Sequence, residues 1–421
     1  MQSSIKLRLT VMNFLQFAVW GAYLTSMGRY LGTAGFGSEI GNFYAMQGLV
    51  SLFMPALMGI VADRWIPAQR LLGVCHMLAG MLMLGVFLYT QTDAPSYPSL
   101  FALYSLSVAF YMPTLALSNS VAYTSLDQAG LDLVKSFPPI RVFGTVGFIC
   151  TMIAVSLLGL EATSGQFAVS AIISLVLAVY AQTLPNCPTA PKGQSKSLVE
   201  ALGLRAFVLF KQRKMALFFI FSMLLGVSLQ ITNGFANPFI STFGEIPAYA
   251  DTFGVKYANI LISLSQLSET LCILLIPFAL RRFGIRRVML IAMVAWVLRF
   301  ALLGLGNPGS GVWLFLLSMI VYGVAFDFFN VSGSLFVDKE TDPSIRSSAQ
   351  GLFMIMTNGI GATLGSLGAQ AVINRFVYSQ SEATAILSGW TTSWYIFAAY
   401  AAVVAVLFAV LFRYNTATEA K

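Results

Sequence analysis

Charged side chains are scarce in this sequence. Only 10% of the 421 residues are Asp, Glu, Lys or Arg, and 57% are hydrophobic. A soluble domain carries about 25% charged residues, so a chain this apolar would precipitate in water. The composition therefore excludes a soluble globular protein and places the chain in the membrane class.

Histidine and cysteine are also rare. The single histidine, His76, lies in an apolar run, and we interpret it as a packed helix residue rather than a proton relay. The four cysteines are scattered, which predicts neither a disulfide framework nor a metal site. Without a soluble domain or a nucleophile–base pair, the sequence predicts no enzyme and no cofactor.

Apolar runs long enough to cross the roughly 30 Å hydrocarbon core recur along the whole chain. None alternates with period two, so we predict an all-α integral membrane protein rather than an outer-membrane barrel. The first run lacks a small-residue cleavage site, and we expect it to remain as the first helix. Twelve transmembrane helices are predicted, near 8–30, 41–62, 71–91, 97–120, 138–159, 166–184, 215–240, 257–280, 288–306, 312–336, 348–374 and 391–413.

Basic residues are distributed unevenly between the two sides of the predicted membrane. With a cytoplasmic N-terminus, 4 of the 24 Lys and Arg residues fall on the outer side, which leaves 20 on the inner side. The outer four are Arg29, Lys256, Arg299 and Arg375. The positive-inside rule predicts this bias, so we expect both termini in the cytoplasm of a bacterium and the helices in its inner membrane. The net charge of +8 thus reports topology and gives no evidence for nucleic-acid binding.

A proline-rich polar linker at 185–214 follows the sixth helix. It separates a predicted N-terminal six-helix bundle, 1–184, from a C-terminal one, 215–421. Within the linker, 198–210 has the composition of a short amphipathic helix on the inner membrane surface. Two pseudo-symmetric six-helix halves around a cytoplasmic linker are the plan of the major facilitator fold.

The loop between helices two and three resembles the signature G-x-x-x-D-R-x-G-R-[KR] of that superfamily. It keeps Gly59, Asp63, Arg64 and Arg70. The second glycine is lost, and Pro67 makes the turn instead; the equivalent loop of the second half, 281–287, is rich in arginine. Charges at helix ends can pair in one state and separate in another, so we predict a cytoplasmic gate. The alternative is ordinary topology-setting charge.

Two acidic residues, Glu269 and Asp327, lie inside predicted membrane spans. A carboxylate at bilayer depth costs several kcal/mol (~3) unless it is paired, hydrated or protonated. Its usual roles are proton coupling, substrate binding and pairing with a charge on another helix, and we expect at least one of these here.

Polar and aromatic residues recur at helical spacing inside four predicted helices. These residues are Arg141, Thr145 and Phe148 in helix five, Gln230 and Asn233 in helix seven, Gln266 and Glu269 in helix eight, and Tyr322, Phe326 and Asn330 in helix ten. Any single pair fits an interhelical hydrogen bond equally well. Four stripes that combine rings with amides and charges are more typical of a pocket for a flat, polyhydroxylated solute.

The strings that contain these residues resemble motifs of bacterial nucleoside:proton symporters of the nucleoside and xanthosine permease type. They are 137–148, 229–233, 265–269 and 320–330. The likeness extends from 14–17 to 348–351. In that family the positions matching Arg141, Thr145, Phe148, Gln230, Asn233, Gln266, Glu269, Tyr322 and Phe326 are implicated in nucleoside binding. Departures in the outer loops, the linker and the C-terminal tail leave the substrate preference open.

The resemblance implies a proton-coupled nucleoside importer that works by alternating access, with the substrate in a central cavity. Its partners would be a nucleoside, protons and the lipid bilayer; the proton gradient would drive it without a cofactor, and we expect a monomer. We assign proton coupling first to Glu269 and second to Asp327. A proton-coupled sugar or polyol symporter of the same fold, or a membrane sensor that does not transport, are the alternatives.

Overall fold

The structure is a computed structural model that describes residues 2–189, 204–343 and 345–414, and most of these residues are helical. Nine helices in the described ranges are long and apolar enough to cross a bilayer. Hydrocarbon offers no partner to a backbone N–H or C=O, and a helix pairs these groups within itself. The prediction of an all-α membrane protein is confirmed.

Six helices make up the first part of the chain. They are α1 (Gln2–Gly21, resumed as Met27–Thr33), α2 (Gly37–Arg64), α3 (Ala68–Tyr89), α4 (Tyr97–Gln128), α5 (Leu133–Leu157) and α6 (Gly165–Ala181). The sequence predicts one unbroken first helix over 8–30, whereas the structure interrupts it between Gly21 and Met27.

The second part contains a further six spans. They are α7 (Arg213–Thr242), α8 (258–283), α9 (285–305), α10 (Val312–Glu340), α11 (Arg346–Met354, Ile355–Gly361 and Ala362–Phe376) and α12 (Ala383–Leu411). The long helix Ala258–Leu305 supplies two spans, and α1 and the shorter apolar helix α6 lie outside the nine long helices, so the described residues hold the twelve helices that the sequence predicts.

The connection between α8 and α9 differs from the predicted loop at 281–287. The helix continues on both sides and is broken only at Gly284, whose φ of 73° is accessible to glycine at little cost. Arg286, next to this kink, donates to the carbonyl oxygens of Phe412 at 2.6 Å and Ala409 at 2.7 Å. It therefore caps the C-terminal end of α12.

Glycines allow neighbouring helices to touch backbone to backbone within each part. A Cβ on Gly147 of α5 would lie 2.1 Å from the carbonyl oxygen of Phe14 in α1. A Cβ on Gly365 of α11 would lie 2.1 Å from the carbonyl oxygen of Val227 in α7. Such close approach at small residues is what drives helix association in lipid, where helices gain nothing from leaving water.

The chain forms two compact units. The first is Met1–Tyr30 with Leu49–Leu202, and the second is Leu31–Gly48 with Gly203–Lys421. Residues 31–48 thus pack with the second unit. There, both the oxygen and the nitrogen of the Gln370 side-chain amide, on α11, form hydrogen bonds to them. Its Oε1 accepts from the N–H of Gly41 at 2.5 Å, and its Nε2 donates to the carbonyl oxygen of Gly37 at 3.0 Å. The domain boundaries at 184 and 215 remain a prediction.

Of the predicted linker, residues 190–203 lie outside the described residues, and with them much of the amphipathic helix predicted at 198–210. The described remainder contains a short 3₁₀ helix, Leu204–Lys211, with one packed and one open face. Its buried residues are Ala206 and Leu209, and its exposed ones include Leu204, Phe207 and Val208.

Candidate functional site

In the first unit, Arg141 is held against an aromatic ring. Its guanidinium carbon lies 4.0 Å from the centroid of the Phe17 ring, a cation–π contact between α5 and α1. A Cβ on Gly144 would lie 2.6 Å from the Phe17 ring and 2.9 Å from Nη1 of Arg141. Glycine at this position therefore makes room for the pair inside the membrane span.

Phe148 and Thr145 continue the same face of α5. The Phe148 side chain is 7% exposed and packs edge-on against Trp20, with ring centroids 6.3 Å apart and planes at 89°. Thr145 is half-buried. The predicted stripe of helix five is thus an aromatic and polar face that packs on α1.

His76 lies in the interior of the first unit, fully buried. Its Nδ1 is 3.0 Å from Oγ of Ser174, and its Nε2 is 2.8 Å from Oε1 of Gln16. The Gln16 amide in turn donates to Oγ1 of Thr114 at 2.7 Å. Both ring nitrogens have partners, as expected for a histidine that joins packed helices.

In the second unit, α7 and α8 carry the predicted amides. Nδ2 of Asn233 donates to Oε1 of Gln230 at 2.8 Å, so the two side chains, one turn apart, form an oriented pair. Gln230 is buried and Asn233 half-buried. On α8, Gln266 and Glu269 are both half-buried and also lie one turn apart.

Two stacked rings on α10 form the aromatic part of the second unit's site residues. Tyr322 and Phe326 are nearly parallel, at 4°, with centroids 5.7 Å apart. Trp296 of α9 meets the Tyr322 ring edge-on, at 5.9 Å and 89°. Tyr322 is 4% exposed, whereas Phe326 is half-buried and is the more accessible ring of the pair.

The two carboxylates of the spans lie near each other. Asp327 is 5% exposed, and its Oδ2 is buried without a hydrogen-bond partner among the described residues. It interacts electrostatically with Glu269, and both interact with Tyr322. One turn before Asp327, a Cβ on Gly323 would lie 2.5 Å from the carbonyl oxygen of Ser268. Asp327 therefore lies on the face of α10 that packs against α8.

Arg299 is a buried charge that sequence reasoning assigned to the outer side. It lies in α9, is 2% exposed, and places its guanidinium carbon 4.5 Å from the centroid of Tyr322. Its Nη1 donates to the carbonyl oxygen of Ser318 at 2.8 Å. A charged residue inside the apolar run 288–306 could have indicated a buried role, but the positive-inside pattern led us to count Arg299 among the charges of the outer side.

The predicted gate residues lie at the junction of α2 and α3. Gly59, Asp63 and Arg64 belong to the last turns of α2, and Arg70 is exposed at the start of α3. Pro67 directly precedes α3, in the extended conformation that starts a helix (φ −48°, ψ 135°). Their role as a gate stays a prediction.

The described residues form twelve helices that carry amides, carboxylates and guanidinium groups among apolar side chains, an arrangement typical of the major facilitator fold. A solved peptide transporter of the POT family shares this fold with a TM-score of 0.68 at 16% identity, over 98% of this chain and 97% of that one.

Residues 3–417 match the family model described as nucleoside H+ symporter, and the chain belongs to this family. It is 49% identical to the xanthosine permease of Escherichia coli K12, and 47% identical to the nucleoside permease NupG of the same strain. Each comparison spans 415 residues, 98% of this chain and 97% of the relative. The crystal structure of NupG matches with a TM-score of 0.89 at 46% identity, over 98% of this chain and 100% of that one. The resemblance inferred from the motifs is confirmed, and the protein is a transporter rather than an enzyme.

Proposed function

We propose that this protein is a proton-coupled nucleoside importer of a bacterial inner membrane, with both termini in the cytoplasm. The observation that carries the proposal is the 47–49% identity to two permeases, named for nucleosides and xanthosine, over 98% of the chain. The amides, rings and charges inside the helices suit such a solute, because a nucleoside offers a flat base and a ribose rich in hydroxyl groups.

Nine residues make up the proposed nucleoside site. They are Arg141, Thr145, Phe148, Gln230, Asn233, Gln266, Glu269, Tyr322 and Phe326. Stacking of a base on an aromatic ring is worth about 1–3 kcal/mol and tolerates different bases. Phe326 is the best candidate for that contact, because it is the open member of its stacked pair. The amides and Glu269 provide donors and acceptors for the ribose hydroxyls and base edges.

Proton coupling is assigned to Glu269 first and to Asp327 second. A carboxyl group within apolar helices is far cheaper to bury when it is neutral, so it tends to bind a proton when water leaves and to release it when water returns. Glu269 shares its helix face with Gln266 and is half-buried, so one carboxylate could sense both the substrate and the proton. No cofactor is required, since the proton gradient supplies the energy.

The proposed cycle is alternating access. Charged helix ends at Asp63, Arg64 and Arg70 would pair in one state and separate in another, as charge-assisted hydrogen bonds at helix ends can do. We expect the protein to work as a monomer.

Uptake in cells that lack their own nucleoside permeases tests the proposal. Labelled uridine, inosine and xanthosine should each be examined with and without a protonophore. We expect at least one to accumulate against its gradient, and the protonophore to abolish that accumulation. An excess of unlabelled nucleoside should compete, whereas free ribose should not. Competition by ribose alone would indicate the sugar symporter instead, and no uptake of any solute would favour a non-transporting sensor.

A further inference from the structure

Arg299 fastens three helices of the second unit together. Its Nη1 donates to the carbonyl oxygen of Ser318 on α10 at 2.8 Å and to Oγ of Ser265 on α8 at 3.3 Å. Oγ of Ser318 donates back to the carbonyl oxygen of Arg299 at 3.0 Å. The guanidinium is thus fixed in place, although no residue of the proposed nucleoside site takes part in these hydrogen bonds.

The same guanidinium lies over a ring that does belong to the proposed site. Its carbon is 4.5 Å from the centroid of Tyr322, and its Nε is buried without a hydrogen-bond partner in the described part of the chain. Cation–π attraction is strongest where water is excluded, and Arg299 is only 2% exposed. Trp296 contacts the Tyr322 ring with the two planes perpendicular, and the Phe326 ring stacks parallel to the Tyr322 ring.

We propose that Arg299 is a positioning residue for the nucleoside site. It immobilises the Tyr322 ring, and through that ring it fixes the orientation of Phe326, against which the base stacks. A ring ordered before binding spares the complex the entropy of ordering it, so Arg299 raises affinity without touching the substrate. This inference rests on the proposed function and adds a residue to it.

Because Arg299 acts through the Tyr322 ring, its effect on affinity requires an aromatic ring at position 322. We expect Arg299→Met to weaken uridine binding by about tenfold, which lies between the values for an exposed and a fully desolvated cation–π contact. The same loss should appear in the Tyr322→Phe background, because phenylalanine keeps the ring. In the Tyr322→Leu background, Arg299→Met should cause less than about a twofold further loss, since no ring remains to be positioned. Affinities are measured by calorimetry on purified full-length protein, with displacement of a bound nucleoside for weak binders.

Arg299→Lys supplies the conservative variant. Lysine keeps the cation over the ring but loses the planar donor fork, so we expect it to recover most of the affinity lost in Arg299→Met. If Arg299→Met does not fold, Arg299→Lys replaces it in the test. The smaller loss of uridine affinity that Arg299→Lys causes should then disappear in the Tyr322→Leu background. Arg29→Met is the matched control: Arg29 pairs with Glu161 at 3.3 Å in the first unit, and its effect should not depend on position 322.

Two results would overturn the inference, and they are distinguishable. If the unmodified protein binds uridine but Arg299→Met is equally harmful in the Tyr322 and Tyr322→Leu backgrounds, Arg299 is purely structural and the proposed function stands. If the unmodified protein binds no nucleoside of the panel, the proposed function and the inference fail together.

Discussion

Two arginines of the described helices, Arg141 and Arg299, hold their guanidinium groups against aromatic rings. Arg141 lies 4.0 Å from the Phe17 ring in the first unit, and Arg299 lies 4.5 Å from the Tyr322 ring in the second. A buried cation must recover part of the free energy of its lost hydration, and an aromatic face supplies some of it without adding another charge. Arg299 keeps its Nη1 donors for the carbonyl oxygen of Ser318 and Oγ of Ser265.

Arg141→Lys tests the residue that we place in contact with substrate. Lysine keeps the charge but loses the planar fork that donates two parallel hydrogen bonds, so we expect uridine affinity to fall by about tenfold with normal expression and an unchanged melting temperature. Calorimetry measures the affinity. Arg282→Lys, at an exposed site beside the Gly284 kink, is the control and should bind normally. Unchanged affinity in Arg141→Lys would mean that Arg141 serves packing alone.

Glu269→Gln tests the proton site. Glutamine mimics the protonated carboxyl group and cannot release its proton, so we expect proton-driven accumulation to be lost while counterflow exchange is partly retained. Labelled uptake and counterflow in proteoliposomes distinguish the two activities. Asp251→Asn, which removes a carboxylate that is 94% exposed, should accumulate uridine as the unmodified protein does.

Asp327→Asn completes this comparison. If Glu269→Gln still concentrates nucleoside in a protonophore-sensitive way while Asp327→Asn does not, the proton is carried by Asp327. Its burial and its unpartnered Oδ2 make that outcome chemically reasonable. The opposite pattern leaves Asp327 as a packing residue between α10 and α8.

At the scale of the helix, close packing depends on glycines, which carry a hydrogen atom where any other residue has a Cβ. Gly365→Ala would place a methyl group 2.1 Å from the carbonyl oxygen of Val227, so α11 and α7 must separate. We expect a destabilisation of about 1–3 kcal/mol, seen as a lower melting temperature in detergent. Gly368→Ala lies three residues further along the same helix with nothing within 4 Å, and should leave the melting temperature unchanged or slightly higher. Equal melting temperatures for the two variants would contradict close helix packing at Gly365.

The number of helices could be predicted because it depends on local patterns, and the same patterns single out the candidate residues, whose roles stay predictions. Length and hydropathy define a span, and a carboxylate such as Glu269 stands out in an apolar run. The kink at Gly284, where α8 passes into α9 without a loop, could not be predicted, since a charged interruption is also compatible with a loop. The role of Arg299 was missed for a related reason: its partners Ser318 and Tyr322 lie on another helix, and only tertiary packing brings them together.

At the scale of the whole molecule, the distribution of basic residues predicts the orientation in the membrane. In a variant without its native cysteines, a cysteine near Ser195 should react with a membrane-impermeant maleimide only from the cytoplasm. One near Gly306, at the exposed Ser310, should react only from outside. Labelling is carried out on intact cells and on inverted vesicles. Reaction of both positions from the same side would rule out the predicted topology.

The hydrogen bond between Gly41 and Gln370 has a consequence for biogenesis. The two residues are 329 positions apart in the chain. At a synthesis rate of roughly 5–20 residues per second, residues 31–48 enter the membrane tens of seconds before α11 exists. During that interval residues 31–48 can contact only the insertion machinery, lipid or earlier helices. The packing of the second unit is completed only after nearly the whole chain has been translated. Truncation before α11 should therefore leave the early helices as substrates for membrane proteases.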